Sequence, residues 1–431
     1  MNPTRSQNLD GPLMDEWLDV RATNSGSTTE LDLSSRRGGE IDPIATTEHL
    51  RTAFLRYLKT LHPLRSSDLR AAYWRELERP QAIMKGPLLE GAPPFRTGRS
   101  IGDLVEAGVL SREFCSLASP ALPLDRPLYL HQDRAIEKIV QGRRNIVIAT
   151  GTGSGKTESF IIPILDALLR EREAGTLGEP GVRALLLYPM NALANDQIQR
   201  LRDLLASSPD ITFGRYIGET EQTRQAALDR FRKQFPGVEP LTNELLSREE
   251  MQQRPPHILL TNYAMLEYLL LRPADSVFFD GDTARHWCFI VLDEAHTYDG
   301  ATGIEVAMLL RRLKDRVVRS EPGRLQCLAT SATLGRGRQD FKRVARFASD
   351  LFGEPFEWNE TDPDRQDIVE AVREDLEVPP STELQAFPPA IYGAFRRVHG
   401  IADVGKLREI AAQYNVDSRW IAAADEAATR V

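Results

Sequence analysis

The chain contains an eight-residue stretch, Thr150-Gly-Thr-Gly-Ser-Gly-Lys-Thr157, directly after the apolar run Asn145-Ile-Val-Ile-Ala-Thr150. A strand that delivers a glycine-rich turn and then a helix makes a cradle for polyphosphate. Gly151, Gly153 and Gly155 free the backbone for turns that a Cβ would obstruct. The loop N–H groups, those of Thr152 and Ser154 among them, then converge on an anion, and the helix that begins near Glu158 adds its positive end. Lys156 is placed to reach the β- and γ-phosphates, and the Thr157 hydroxyl to ligate Mg²⁺. The strict pattern has glycine five positions before Gly155, where this chain has Thr150. The following helix carries Phe160, Ile161, Ile164, Leu165, Leu168 and Leu169, and Pro163 within it is expected to kink it.

A second apolar run, Phe289-Ile-Val-Leu292, ends in Asp293-Glu-Ala-His296. Ligands of open α/β sheets gather at the carboxyl ends of strands. Asp293 is therefore assigned to Mg²⁺ and Glu294 to polarising the attacking water, while His296 connects the site to moving parts. Loop and acidic strand end together imply an ATP-hydrolysing motor core. Upstream, Tyr129-Leu-His-Gln132 offers an amide with both a donor and an acceptor. That pair suits an adenine edge, so Tyr129 and Gln132 are assigned to the base.

Other strand ends carry small polar residues. Pro189, Asn191, Ala192, Asn195 and Gln197 follow Ala184-Leu-Leu-Leu187; Gly218, Glu219 and Thr220 follow Ile211–Ile217; Thr261 and Asn262 follow His257–Leu260. Such ends offer hydroxyls, amides and N–H groups to a sugar–phosphate chain, or serve as turns and caps. Ser331, Ala332 and Thr333 close another apolar run and can join the acidic strand to the nucleic-acid side.

Taken in this order, the segments resemble the first RecA-like domain of a superfamily 2 helicase. Tyr129–Gln132 is similar to the Q motif, Thr150–Thr157 to motif I, and Pro189–Gln197 to motif Ia. Gly218–Thr220 resembles motif Ib, Thr261–Asn262 motif Ic, Asp293–His296 motif II and Ser331–Thr333 motif III. The wording Leu292-Asp-Glu-Ala-His-Thr-Tyr-Asp-Gly300 is similar to the MrfA/YprA-like bacterial DEAD/DEAH helicases. Tyr188-Pro-Met-Asn-Ala-Leu-Ala-Asn-Asp-Gln197 resembles the DruE-type helicases of phage-defence systems. The resemblance covers roughly residues 85 to 355. It implies ATP and Mg²⁺ as cofactors and translocation on single-stranded or tailed DNA, with RNA as the alternative polymer. It also implies defence-complex or repair partners. Such motors need a second RecA-like domain with a Gln-x-x-Gly-Arg-x-x-Arg motif, which is not found after Thr333. That half is expected in a longer protein or a partner chain, and without it hydrolysis is expected to be very slow. The rival expectation is an ATP-dependent switch or scaffold subunit in a defence complex.

The fold class expected is α/β: a RecA-like P-loop domain, its parallel sheet sandwiched by helices, with a helical N-terminal region and a helical C-terminal segment. The expected limits are a flexible segment 1–45, a helical accessory domain 46–125, the ATPase domain 126–355 and a helical connector or insertion 356–431. The charge of −8 and pI near 5.6 argue against gripping nucleic acid by bulk positive charge. Basic residues 311, 312, 314 and 316, in a helix expected over 303–317, either touch a DNA backbone or form a solvated face. The three cysteines make no Cys-x-x-Cys pair, so no zinc or iron–sulfur site is expected. Their scarcity, and the lack of a membrane-length apolar run or signal pattern, lead to a cytoplasmic expectation with no membrane partner.

Overall fold

The structure, a computed structural model, describes residues 43–79, 82–84, 93–117, 119–151, 153–332, 337–374, 409–410 and 412–414. Most of the flexible segment expected over 1–45 and most of the helical connector expected over 356–431 lie outside these residues. The chain forms two compact units, one built from 1–91 and 377–431 and the other from 92–376.

In the smaller unit, the helices Pro43–Leu61 and Ser67–Glu78 form a hairpin. The Ser66 side chain caps the second helix by accepting the Leu69 N–H. Lys59 pairs with Glu78 and lies 4.7 Å from the Trp74 ring centroid.

In the larger unit, runs of Ile, Val and Leu with no polar alternation form strands buried on both faces. The strands, in chain order, are β1 (Thr97–Ser100), β2 (Pro127–Tyr129), β3 (Ile146–Ala149), β4 (Ala184–Tyr188) and β5 (Phe213–Arg215). They continue as β6 (Glu244–Leu245), β7 (Ile258–Asn262), β8 (Phe289–Leu292), β9 (Gln326–Ser331) and β10 (Ile368–Glu370). β1 and β2 pair antiparallel. The other eight form one sheet in the order β10-β3-β9-β8-β4-β7-β5-β6, and every pairing in it is parallel. Two apolar cores flank it: one around Ile136, Leu165, Leu168 and Leu201, the other around Leu266, Leu310, Phe279 and Phe352. This is the helix–sheet–helix sandwich of the RecA-like class.

Two expected boundaries need correction. Residues 93–125 do not join the N-terminal helices. Ile101, Leu104, Leu110, Phe114 and Leu117 are buried in the same core as Ile136 and Ile139. Each such burial contributes about 1.5–3 kcal/mol, enough together to hold that segment on the sheet. The segment 356–374 is not a helical connector either, because β10 pairs with β3 at the sheet's edge. The Arg144 guanidinium anchors this strand through two bonds of 2.8 Å to the buried Asp367 carboxylate. The helix Lys156–Glu173 runs on through Pro163. The charged stretch 219–250 includes helices Arg224–Gln234 and Arg248–Gln253 with the short β6 between them.

His257, just before β7, is fully buried and its Nδ1 accepts the Thr212 N–H at 3.0 Å. Burial, then the positive charges of Arg183 and Arg254, pull its pKa down to about 3. An unfolded chain would protonate this imidazole near pH 6.5. Its contribution is therefore complete above pH 6.5 and is lost as pH falls toward 3, at up to ~1.4 kcal/mol per pH unit. His257→Asn keeps an acceptor for Thr212 and does not titrate. Denaturant midpoints measured from pH 7 to pH 3.5 should fall less steeply for this variant than for the parent.

Candidate active site

Because the sheet is parallel, the segments after β3, β4, β5, β7, β8 and β9 all leave at one edge. Register sets their heights: Ala149 lies opposite Ser331 and Leu292 opposite Ala329. Beyond Leu292 the chain turns at Glu294, whose N–H donates to Thr330 Oγ1 on β9 at 3.3 Å. The phosphate loop and the acidic strand end thus flank β9.

The loop is stitched from inside. The Thr150 N–H donates to the Ser331 carbonyl at 3.0 Å, so Thr150 prolongs β3. Its hydroxyl bonds the Ser154 hydroxyl at 2.6 Å, and Ser154 Oγ donates to the Gly151 carbonyl at 2.8 Å. The position has no left-handed backbone, which is why threonine serves where the strict pattern has glycine. Gly153 and Gly155, by contrast, have φ of +74° and +70°. A Cβ on Gly155 would overlap Gln132 Nε2 and lie 3.0 Å from Glu158 Oε2. Thr152 and Thr333 lie outside the described residues, while Gly151 and Gly153 are exposed at the loop's tip.

His131 and Gln132 brace this loop from the helix Leu130–Val140. His131 Nε2 is 2.9 Å from the Ser154 carbonyl, and Gln132 Nε2 donates to the Gly155 carbonyl at 2.8 Å. Gln132 Oε1 accepts the Tyr129 N–H at 2.8 Å. Both ends of the amide expected to read adenine are therefore engaged with backbone. Tyr129 packs against Phe95 and His131, with ring centroids 5.3 and 5.7 Å away. The expected sequence signal covered Gln132 but missed the bracing role of His131. A histidine beside a helix cap has no pattern of its own.

Lys156 and Glu294, 138 residues apart, form an ion pair of 3.1 Å. Glu294 holds a left-handed backbone, φ 49°, at a cost of about 1–3 kcal/mol for a residue with a Cβ. That turn lets its N–H point back to Asp293 Oδ1 at 3.1 Å. The Asp293 carboxylate also accepts a hydrogen bond from the Thr330 hydroxyl. Burial raises the Asp293 pKa, with the neighbouring Glu294 charge adding to it, against the lowering effect of Thr330 and Lys156. Thr330 was absent from the sequence-derived set, which began at Ser331. Only the strand register shows that Thr330 faces the acidic end. His296 Nδ1 lies 3.1 Å from Ser331 Oγ and 3.3 Å from Glu294 Oε2, joining β8 to β9. Ala332 follows at the end of β9.

A hard divalent cation takes oxygen donors and keeps several waters. The buried Asp293 carboxylate and the half-buried Thr157 hydroxyl are oxygens of that kind on the same edge. No cluster of three or more His, Cys, Asp or Glu side chains suited to a metal occurs among the described residues. Those two oxygens are a donor set that fits Mg²⁺.

The strand-end residues assigned to nucleic acid fall into two groups. Asn191, Ala192 and Asn195 sit on the first turns of the helix Asn191–Leu205, whose N-terminus opens at the same edge. Asn262 donates to Asn191 Oδ1 at 2.8 Å, fixing that helix start to the end of β7. Pro189 and Gln197 are half-buried, and Gly218 and Glu219 are exposed. Thr220 and Thr261 turn inward: their hydroxyls donate to the carbonyls of Arg215 and Tyr216. The Glu158 carboxylate lies beside Gly155 and also pairs with the Arg200 guanidinium on the helix Asn191–Leu205. The basic residues of the helix Gly300–Val318 are engaged with protein. Arg312 meets Glu267, Arg316 meets Asp280, Arg311 meets the Asp350 carbonyl, and Lys314 is buried against Glu354.

A parallel sheet that brings a glycine loop, its lysine and an Asp-Glu strand end to one edge defines a P-loop nucleoside triphosphatase. Residues 129–341 match the model of the DEAD/DEAH box helicase family, and the chain carries a helicase domain of that family. It is 30% identical to Druantia protein DruE of Escherichia coli over 406 residues, covering 74% of this chain and 22% of that protein. It is 29% identical to ATP-dependent helicase hrq1 of Schizosaccharomyces pombe over 240 residues, covering 55% of this chain and 20% of that one. Among solved structures it is similar to DUF1998 helicase MrfA bound to DNA, at 25% identity and a TM-score of 0.45, covering 64% of this chain and 29% of that one. The chain thus spans about a fifth of the length of the two curated relatives.

Gly155→Ala removes the left-handed freedom and drives a methyl into Gln132. Titration with a fluorescent ATP analogue should show binding weakened about tenfold or more, equivalent to the ~1–3 kcal/mol of backbone strain.

Proposed function

We propose that this chain supplies the ATP-binding first motor domain of a DNA-directed superfamily 2 helicase. ATP hydrolysis would be coupled to movement along single-stranded DNA, with a second RecA-like domain elsewhere in the full-length protein or in a partner chain. The observation that carries this reading is the 3.1 Å Lys156–Glu294 pair across the edge shared by the loop and the acidic strand. Within this pair each charge neutralises the other. An arriving triphosphate would compete for Lys156 and release Glu294 toward the water. Gly151 to Thr157 would wrap the phosphates, and Asp293 and Thr157 would hold Mg²⁺. When bound, Mg²⁺ supplies charge neutralisation for the phosphate oxygens. Glu294 would orient the attacking water, and His296 with Ser331 would transmit the change to β9. Asn191, Asn262 and the helix start at residue 191 would contact the sugar–phosphate chain. Tyr129 would lie beside the base, and Gln132 would read adenine only by exchanging one of its backbone bonds.

A complementary arginine from a second domain can contribute about 10³–10⁵ in rate, so this chain alone is expected to bind ATP and turn it over very slowly. A second reading has its own support. The similarity to DruE reaches 74% of this chain, beyond the 129–341 helicase core. Together with the resemblance to DruE-type sequences, this favours a subunit of a defence complex in which nucleotide gates a partner. Infection assays with the full-length gene and its Lys156→Ala variant would decide whether defence depends on this site.

The enzymatic reading is checked with purified protein by measuring ATP binding and ATPase rate with poly(dT), poly(U) or neither. Lys156→Ala should lose nucleotide binding. Glu294→Gln should bind ATP as the parent does while hydrolysis falls about 10²–10⁴-fold. A Glu294→Gln variant with unchanged turnover would remove Glu294 from the mechanism. Stimulation by poly(U) but not poly(dT) would make the polymer RNA.

A further inference from the structure

At the far end of the sheet from β10, the surface opens into a small cavity whose charges do not balance pair by pair. Arg202, on the helix Asn191–Leu205, makes bonds of 2.8 and 2.7 Å to the two Glu244 oxygens. Its guanidinium also lies 4.9 and 5.0 Å from the ring centroids of Phe231 and Phe235. Arg230 meets Glu219 at 2.8 Å and Glu221 at 3.1 Å. These contacts use all three carboxylates around the cavity. Arg215, at the carboxyl end of β5, lines the same cavity and is half-buried. Among the described residues its guanidinium has no ion pair or hydrogen bond of its own. Glu219 and Glu244 attract it only from a distance, and Arg202 and Arg230 repel it. Burial is the largest influence and lowers its pKa.

A half-buried guanidinium without a partner costs solvation that nothing among the described residues returns. Its five N–H donors fit a planar carboxylate by two parallel bonds. The cavity measures about 60 Å³, and Ile198, Ala227, Phe231, Phe235 and Leu245 supply its apolar walls. That space is on the order of a few water molecules, which suits a carboxylate and not a nucleotide. The three arginines 202, 215 and 230 are matched in number by the three glutamates 219, 221 and 244. A polyanionic backbone therefore meets no net positive field here, whereas one carboxylate meets one unengaged fork.

We propose that this pocket receives the side-chain carboxylate of an acidic residue, flanked by apolar residues, on a protein partner. Arg215 is the anchor, and flanking side chains of the partner would lie over the cavity's mouth. The site lies beside β6, the last strand of the sheet, away from the loop that would bind nucleotide. Loss of Arg215 should leave ATP binding unchanged.

The test uses the 431-residue chain and its Arg215→Met variant. The Arg215 Nε–H signal is assigned by its loss in the variant and followed by NMR. The probes are a capped Ala-Leu-Glu-Leu-Ala peptide, its glutamine counterpart, inorganic phosphate and oligo(dT). Support consists of a shift with the glutamate peptide, weakened about tenfold by glutamine and by Arg215→Met, in line with loss of one charge-assisted bidentate contact. The melting temperature of Arg215→Met should equal or exceed the parent's, because an unpaired, half-buried charge has been removed. Silence with both peptides would overturn the proposal. So would an Arg215 response to oligo(dT) or phosphate alone, which would place the residue on a nucleic-acid path. A marked loss of thermal stability in Arg215→Met would show that Arg215 is already satisfied within the fold, and would also overturn it.

Discussion

The register of three parallel strands, β3, β9 and β8, governs everything at the carboxyl edge. β9 lies between the strand that delivers the glycine turn and the strand that delivers Asp293, and its hydrogen bonds fix their relative height. A slip of one residue along a strand would turn its side chains to the opposite face. Lys156 would then lose Glu294, and Thr330 would lose Asp293. The middle strand is thus both spacer and participant, because its last residues bond to the loop through Thr150 and to the acidic turn through Thr330 and Ser331. The packed layers on both faces leave those strands little room to slide.

The gathering of Lys156, Asp293 and Glu294 at that edge was legible in the sequence because it depends on residue types that few other structures need together. Glycines at alternate positions before a lysine, and Asp-Glu after four apolar residues, announce themselves. What was hidden depends on tertiary partners. Thr330 is an unremarkable strand threonine until register sets it against Asp293. Gln132 reads as a free amide until its two ends are found on the backbone of Tyr129 and Gly155. β10 escaped notice because Asp-Ile-Val-Glu offers only two apolar residues and gains its place through Arg144, more than two hundred residues earlier. The same reasoning explains the misplaced boundary near residue 125. Short helical stretches such as Ile101–Glu106 carry a pattern that says "helix" but not which core will bury it.

Charge is distributed in the same economical way. The helix Gly300–Val318 has the look of a basic strip in the sequence, yet its arginines and lysine are engaged with neighbouring helices and loops. The groups open at the carboxyl edge are instead turn amides, asparagines and helix starts. Contacts of that type hold a phosphate chain by geometry more than by field, and depend less on ionic strength than a lysine-rich groove would.

The ion pair between Glu158 and Arg200 has a thermodynamic corollary. It ties the first turn after the glycine loop to the helix whose opening turn faces the strand-end asparagines. If occupancy at one end of this strut biases the geometry at the other, the two occupancies share a single coupling free energy. By linkage, whatever factor a bound polymer adds to affinity for the triphosphate, the triphosphate must return in equal measure to the polymer. Departure of the nucleotide would then loosen the polymer by that same factor.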